Sequence, residues 1–487
     1  MDAASEPLDE LVSHARATRV VVVGGGIAGL VAAWECAKVG MPVTLIEADD
    51  RFGGTIAAAD LAGLRTDLGV TCWSAGSAAR ALVDELGLAG RVVTPRTDRT
   101  WIAGVGRGGA APVPPETVVG IPANPWDESV RRFIGWSGAW RAYLDRLRPP
   151  LTIGKERNLD RLVRTRMGAP VADRMVAPLS VGRFGIAPAK VDVSAAAPGL
   201  STALTRTGSL GGAVAELLVD RGDRPAVESL EGGMTVLVDA LVTRLADLGA
   251  ELRPSTRVAS LARADDRWTA TVEGADDPDL LPAEIVIVAA GPHEAARLLT
   301  PHVGEAVAEM TDAALLREIV TLVVDAPALD AGPRGAQVYP LPARRRASGL
   351  VHETARWEWL AREAGPGRHV LHVAFDRAAG DPESVFSDGD DPAVIARQEA
   401  SALLGVALEP SAVRASHHAV FPLALPASAL GHDDHAEAVR TAVAGVPGLA
   451  ATGAWFAGSG LGRVVAAARD EAERVRAAAL WGPPSSP

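Results

Sequence analysis

Four consecutive valines, Val20–Val23, run directly into Gly24-Gly25-Gly26-Ile27-Ala28-Gly29. No polar residue interrupts the valines, so the strand they form is buried on both faces, the condition of a parallel sheet covered by helices. The glycines carry G-x-G-x-x-G at 24, 26 and 29. In that pattern the first makes a tight turn, the second admits a pyrophosphate against the backbone, and the third lets the next helix pack on the strand. Ile27, Leu30, Val31 and Trp34 keep helical spacing across 27–39. The free N–H groups at that helix's start suit phosphate. A strand over 42–46 then delivers Glu47, eighteen residues after Gly29. A carboxylate there accepts both hydroxyls of an adenosine ribose and repels a 2′-phosphate. The pattern predicts a dinucleotide site and leaves NAD and FAD equally open. A plain tight turn would not explain an acid closing an apolar strand.

Glu47-Ala48-Asp49-Asp50-Arg51-Phe52-Gly53-Gly54 resembles the E-x-x-x-R-x-G-G extension of the flavin amine oxidase and protoporphyrinogen oxidase superfamily. The resemblance implies FAD, held non-covalently, with contacts at Gly24, Gly26, Ile27, Ala28, Gly29, Glu47, Ala48, Arg51, Gly53, Gly54 and Thr55. Thr66-Asp67-Leu68-Gly69 is similar to the D-x-G turn of the same flavoproteins, and Gly232-Gly233-Met234 to a segment near their cofactor. Val258 matches the position whose backbone meets the adenine. The stretch 284–292 resembles the strand that crosses back under the dinucleotide, which adds Ala290 and Gly291. Residues 449–475 are similar to the family's closing glycine turn and helix, which adds Gly458, Gly460 and Leu461. That helix would present a second N-terminus to the flavin and stabilise negative charge on reduction.

Two further stretches narrow the resemblance. Pro112-Val113-Pro114-Pro115, continuing to Gly120-Ile121-Pro122, is too rich in proline for a helix. It resembles the P-I-P…G-I-P segment of bacterial coproporphyrinogen III oxidases. Residues 173–191, DRMVAPLSVGRFGIAPAKV, are similar to the family's P-L-L-S-G-I-Y-A-G-D-P-A-K-L. Arg183 replaces an aliphatic residue there and Ala187 an aspartate. Arg356-Trp357-Glu358-Trp359 resembles K-W-P-W. Residues 425–432 resemble L-P-Q-Y-x-V-G-H, with Ala427 and Ser428 for Gln-Tyr.

The family implies oxygen-dependent oxidation of a porphyrinogen in heme biosynthesis, with coproporphyrinogen III to coproporphyrin III preferred. Hydride passes to flavin N5, hydrogen peroxide leaves, and no catalytic acid or base is assigned to the protein. The substrate's propionates call for cations, and arginine grips a carboxylate bidentately while keeping its charge. Arg99 resembles a substrate arginine of some family members. Arg183 is a second candidate, equally readable as a surface arginine. Gly182 and Phe184 are expected to line the slot.

The expected fold is α/β and α+β. An FAD-binding Rossmann-like domain of the GR2 type is assembled from 19–95, 220–295 and 432–487. A mixed-sheet substrate domain takes 96–110, 200–219 and 296–431, a helical subdomain takes 111–199, and 1–18 is a loose tail. Trp126, Phe133, Trp136, Trp140 and Tyr143 read first as an aromatic core, and second as an apolar face open to a greasy substrate or a membrane.

A formal charge of −12 and a pI near 5.4 exclude the basic face that nucleic acid needs. Two cysteines, Cys36 and Cys72, make neither a disulfide framework nor a metal site. The N-terminus lacks a secretory pattern and no stretch suits a membrane span. The expected location is the cytoplasm, with membrane contact at most peripheral. Porphyrinogen and dioxygen are the expected small-molecule partners, and docking of a ferrochelatase to collect product stays open. Two other functions share the scaffold. A flavin amine oxidase or secondary-metabolite oxidase is opposed by the absence of lysine after Lys190 and by there being two tyrosines, Tyr143 and Tyr339. An FAD-binding non-catalytic partner protein is suggested by Ala187, Ala427 and Ser428.

Overall fold

The computed structural model describes residues 8–106, 109–148, 156–221, 227–273, 279–311, 315–377, 385–423 and 427–481. Residues 1–7, 107–108, Lys155 and Leu425-Pro426 lie outside the described residues. The first element, α1 (Leu8–Ala17), corrects the expectation of a loose tail. Ala15 is buried, the helix rests on the C-terminal helix Leu461–Trp481, and the Thr18 hydroxyl closes its end by donating to the His14 carbonyl at 2.9 Å.

β1 (Val20–Val23) is the centre of five parallel strands. β2 (Val43–Ile46) and the strand Ile285–Val288 flank it, with Glu251–Arg253 and Leu449–Ala451 at the edges. The valines divide by side. Val20 and Val22 join the cluster formed with α2 (Ile27–Ala37) and the C-terminal helix, whereas Val21 and Val23 join Trp268, Leu298 and Phe456 on the other face. Period-two alternation between two covered faces leaves this strand no place for a polar residue.

The second sheet has seven strands, in the order Val413–Leu423, Leu315–Asp325, Arg368–Arg377, Gly349–His352, Gln337–Pro340, Thr100–Val105 and Gly109–Pro112. Gln337–Pro340 runs parallel to Thr100–Val105, and the other neighbours are antiparallel. The helical unit packs around Phe133, Leu162, Met175 and Val193.

Two domain boundaries differ from expectation. Leu200, Ala203, Leu210 and Ala213 enter the helical unit's core. The buried Arg166–Asp145 pair also bonds to the Gly208 carbonyl and to Leu210 N. Residues 200–219 therefore belong with the helices and not with the sheet. Pro292–Val303 and Ala306–Thr311 pack through Leu298, Leu299 and Val307 on the nucleotide sheet, which moves that limit past 295. A helix belongs to whichever core its apolar stripe meets, and chain order does not reveal which.

The aromatic core reading holds for Phe133, which is buried, and in part for Trp126, which packs half-buried on the same core, and fails for Trp136 and Trp140. Gly135, at φ 69°, breaks the helix Glu128–Tyr143 in two. Trp136 and Trp140 stand 65% and 59% exposed. They form a surface cluster with Trp126 and Tyr143, ring centroids 5.0 to 6.3 Å apart, and the Arg131 guanidinium lies 4.1 Å from the Trp136 ring centre. Among the described residues no helix is long and apolar enough to cross a membrane.

Candidate active site

The turn after β1 is built backbone against backbone. Gly24 adopts φ 104°, and a Cβ on Gly29 would stand 1.8 Å from the Gly24 carbonyl oxygen. A Cβ on Gly26, the N-cap of α2, would meet nothing within 4 Å. That side of the turn is open, as a pyrophosphate channel requires. Ile27 and Ala28 are buried in the first turn of α2, where their N–H groups lack intrahelical partners. Glu47 closes β2, and its carboxylate accepts from Gly25 N at 2.6 Å and Asp49 N at 2.9 Å, with Ala48 exposed between.

Arg51 donates to the carbonyls of Gly54 at 3.1 Å and Ile56 at 3.4 Å, which braces the loop. Gly53 N reaches the Gly25 carbonyl at 2.8 Å, and the Thr55 carbonyl accepts from Val70 N at 3.2 Å. Val258 is buried near this end, its carbonyl held by Arg297 at 2.6 Å. Across the channel Ala290-Gly291 lead into Pro292–Val303, and a Cβ on Gly291 would again meet nothing. Gly460 is equally open, and Leu461 starts the C-terminal helix. Gly458 differs, since Ala427 lies 2.2 Å from the place its Cβ would take. Both α2 and the C-terminal helix follow carboxyl ends of parallel strands, the edge where open α/β sheets take ligands. Open glycines, two free helix N-termini and a carboxylate at a strand end fit a dinucleotide.

Beside the loop at Gly69 a cavity of about 1120 Å³ opens between the seven-stranded sheet and the helical unit. Residues of Pro112–Pro115 and Thr117–Gly120 form one wall. Arg99, Gly182 and Arg183 line it, the two arginines exposed at its rim. Phe184 does not line it; this side chain packs half-buried on the helical core. A Cβ on Gly182 would fall 2.1 Å from the Tyr339 ring, so the glycine is demanded by that contact. Ala427 and Ser428 are buried at the junction near Gly458 and do not line the cavity, and Ala187 is exposed.

Sequence reasoning missed five charged or titratable residues on the cavity wall: Asp98, Arg317, Glu353, Arg356 and His372. Arg317 holds Asp376 through two bonds of 2.6 and 2.9 Å. Arg356 is 5% exposed, with Nη2 3.5 Å from Asp98 and Nε without a partner. Glu353 and His372 are buried and lie 3.1 Å apart. For Arg317 and His372 the signal was a polar residue at a cavity-facing position of an apolar strand, in LLREIVTLVVD and RHVLHVAFDR; Glu353 and Arg356 lie on the short helix Glu353–Arg356, where no such signal exists. Between cradle and cavity, burial pushes the Asp67 carboxyl up to about 7, against the pull of the Met234 N–H bonded to it at 3.0 Å. Burial likewise raises the Cys72 thiol.

A family model described as flavin containing amine oxidoreductase matches residues 27–476. Coproporphyrinogen III oxidase of Propionibacterium freudenreichii subsp. freudenreichii is 28% identical over 96% of this chain and 92% of its own. Coproporphyrinogen III oxidase of Mycobacterium tuberculosis is 30% identical over 92% of this chain and 95% of its own. A crystal structure from Exiguobacterium sp. 255-15, provisionally described as a protoporphyrinogen oxidase, matches with a TM-score of 0.79 at 23% identity, covering 94% of this chain and 98% of that one. The chain belongs to the flavin containing amine oxidoreductase family, and its cofactor is FAD.

Proposed function

We propose that the protein oxidises a porphyrinogen, coproporphyrinogen III in preference, to the corresponding porphyrin, with dioxygen as final acceptor and hydrogen peroxide as second product. The observation that carries this reading is the cavity of about 1120 Å³ with Arg99, Arg183, Arg317 and Arg356 on its walls. A tetracarboxylate macrocycle needs that breadth and those cations, whereas a small amine needs neither. The names of the two bacterial relatives support the same substrate.

In this reading Gly24, Gly26, Ile27, Ala28, Gly29, Gly53, Gly54 and Thr55 carry the phosphates, Glu47 the ribose, and Gly291, Gly460 and Leu461 the far side. Bound there, FAD supplies the hydride acceptor. The chain's own residues bind and orient. Arg99 and Arg183 meet propionates at the rim, Arg356 offers its unpartnered Nε deeper in, and the loop 112–120 shields one wall from water. Among the described cavity residues Tyr339 is the one tyrosine, pinned to Gln337 at 2.9 Å, so no tyrosine–tryptophan cage for an amine is evident.

Anaerobic mixing of the FAD-loaded protein with coproporphyrinogen III, protoporphyrinogen IX and a panel of amines tests the proposal. Coproporphyrinogen III should bleach the flavin fastest. Bleaching by an amine alone would overturn it.

A further inference from the structure

We propose that His372 accepts the proton the substrate loses on oxidation, positioned for it by Glu353; this rests on the porphyrinogen reading above. His372 lines the cavity at 5% exposure, and its Nε2 has no hydrogen-bond partner. Its Nδ1 lies 3.1 Å from Glu353 Oε1, near enough for charge pairing, although Oε1 accepts no hydrogen bond in this geometry. The other Glu353 oxygen accepts from Trp357 Nε1 at 2.8 Å. A carboxylate at this distance favours the proton on Nδ1, which leaves the lone pair on Nε2.

The other candidate bases on this face are engaged. Both Asp67 oxygens receive Met234 N at 3.0 Å. The Tyr339 hydroxyl donates to Gln337 at 2.9 Å. The buried Cys72 thiol is held protonated by its surroundings. The groups that bear on the imidazole are Glu353, Asp67 on the strand Leu64–Asp67, Arg356, and, in register across the sheet, Thr321 and then His417. Thr321 is buried, and its hydroxyl also lacks a partner.

The step balances as follows. A bridge carbon gives up hydride, two electrons and a proton together, to the flavin. The cation left behind is acidic at a pyrrole nitrogen. That N–H bond breaks, its electron pair stays on nitrogen, and the proton forms a new bond to His372 Nε2. Positioned proton acceptors of this kind contribute about 10²- to 10⁴-fold to rate.

The test uses FAD-loaded protein, anaerobic single-turnover reduction by coproporphyrinogen III across pH, and ¹⁵N-histidine spectra. His372→Gln should slow flavin reduction by about 10²-fold or more and abolish the acid limb of the pH–rate profile. Affinity for the product coproporphyrin III, read by fluorescence, should stay unchanged. Glu353→Gln should cause a smaller loss and mix the imidazole tautomers, with Glu353→Asp restoring the Nδ1–H form. In the wild-type spectrum His372 should be the Nδ1–H tautomer, a readout that does not depend on any variant folding. Wild-type rate and pH dependence in His372→Gln, or an Nε2–H tautomer in the wild type, would overturn the proposal. If no porphyrinogen reduces the wild type, the substrate reading fails instead, and the tautomer still judges the Glu353–His372 pairing.

Discussion

The glycine-lined cradle proposed for the nucleotide and the neighbouring cavity are built on opposite plans. The cradle uses backbone: Gly24, Gly26, Gly29, Gly53 and Gly54 shape it, and its side-chain contributions reduce to Glu47 and Arg51, both of which also bond to the chain itself. The cavity uses side chains from segments far apart in sequence, among them Arg99, Gly182, Arg317, Tyr339, Glu353 and His372. A backbone site is unforgiving at single positions, because one added carbon collides with peptide groups that cannot move. A side-chain site spreads its requirements, so each cation can be removed at moderate cost.

That contrast can be broken experimentally. Gly29→Val should have the largest effect, since its side chain would press into the Gly24 carbonyl; loss of both flavin absorbance and native circular dichroism is expected. Gly26→Val should lose the yellow colour but keep the circular dichroism, because nothing in the chain occupies that space. Retained flavin in Gly26→Val would separate the cradle from the cofactor.

Asp67 sits on the border of the two regions and gives the next effect. Its folded pKa is raised from 3.8 to about 7, so the stability it contributes is full below about pH 4 and is lost as pH rises through about 7. The unfolding free energy of the wild type should therefore fall relative to Asp67→Asn between pH 4 and 7, by on the order of a few kcal/mol, read as a lower melting temperature. Parallel curves would show that Asp67 is not desolvated in solution.

In the cavity, Arg356→Met should raise KM for coproporphyrinogen III by roughly thirtyfold, about 2 kcal/mol for a charge-assisted bond. KM for a dicarboxylate porphyrinogen should rise less. Arg99→Ala, exposed at the rim, should cost under about 1 kcal/mol. An Arg99 effect larger than that of Arg356 would invert the ranking by burial.

What could be read beforehand follows the same division. Val20 to Thr55 announces its fold because sterics tie residue type to position within one contiguous stretch, and Val20–Val23 forms a parallel strand buried on both faces, as expected. Phe184 was misplaced because a strand or helix residue's facing depends on which partner covers it, and that partner lies elsewhere in the chain. Trp136 and Trp140 misled for a related reason. Clustering in sequence gave proximity, but the break at Gly135 decides which side the rings occupy. Arg317 and His372 were legible as polar interruptions of apolar strands, yet their convergence needed the register of the sheet.

The C-terminal helix covers α2, whose residues are all buried, and Arg476 bonds to the Glu35 carbonyl at 2.7 Å across a separation of 441 residues. A nascent chain emerging from the ribosome at about 5–20 residues per second must therefore carry the greasy side of α2 uncovered for tens of seconds.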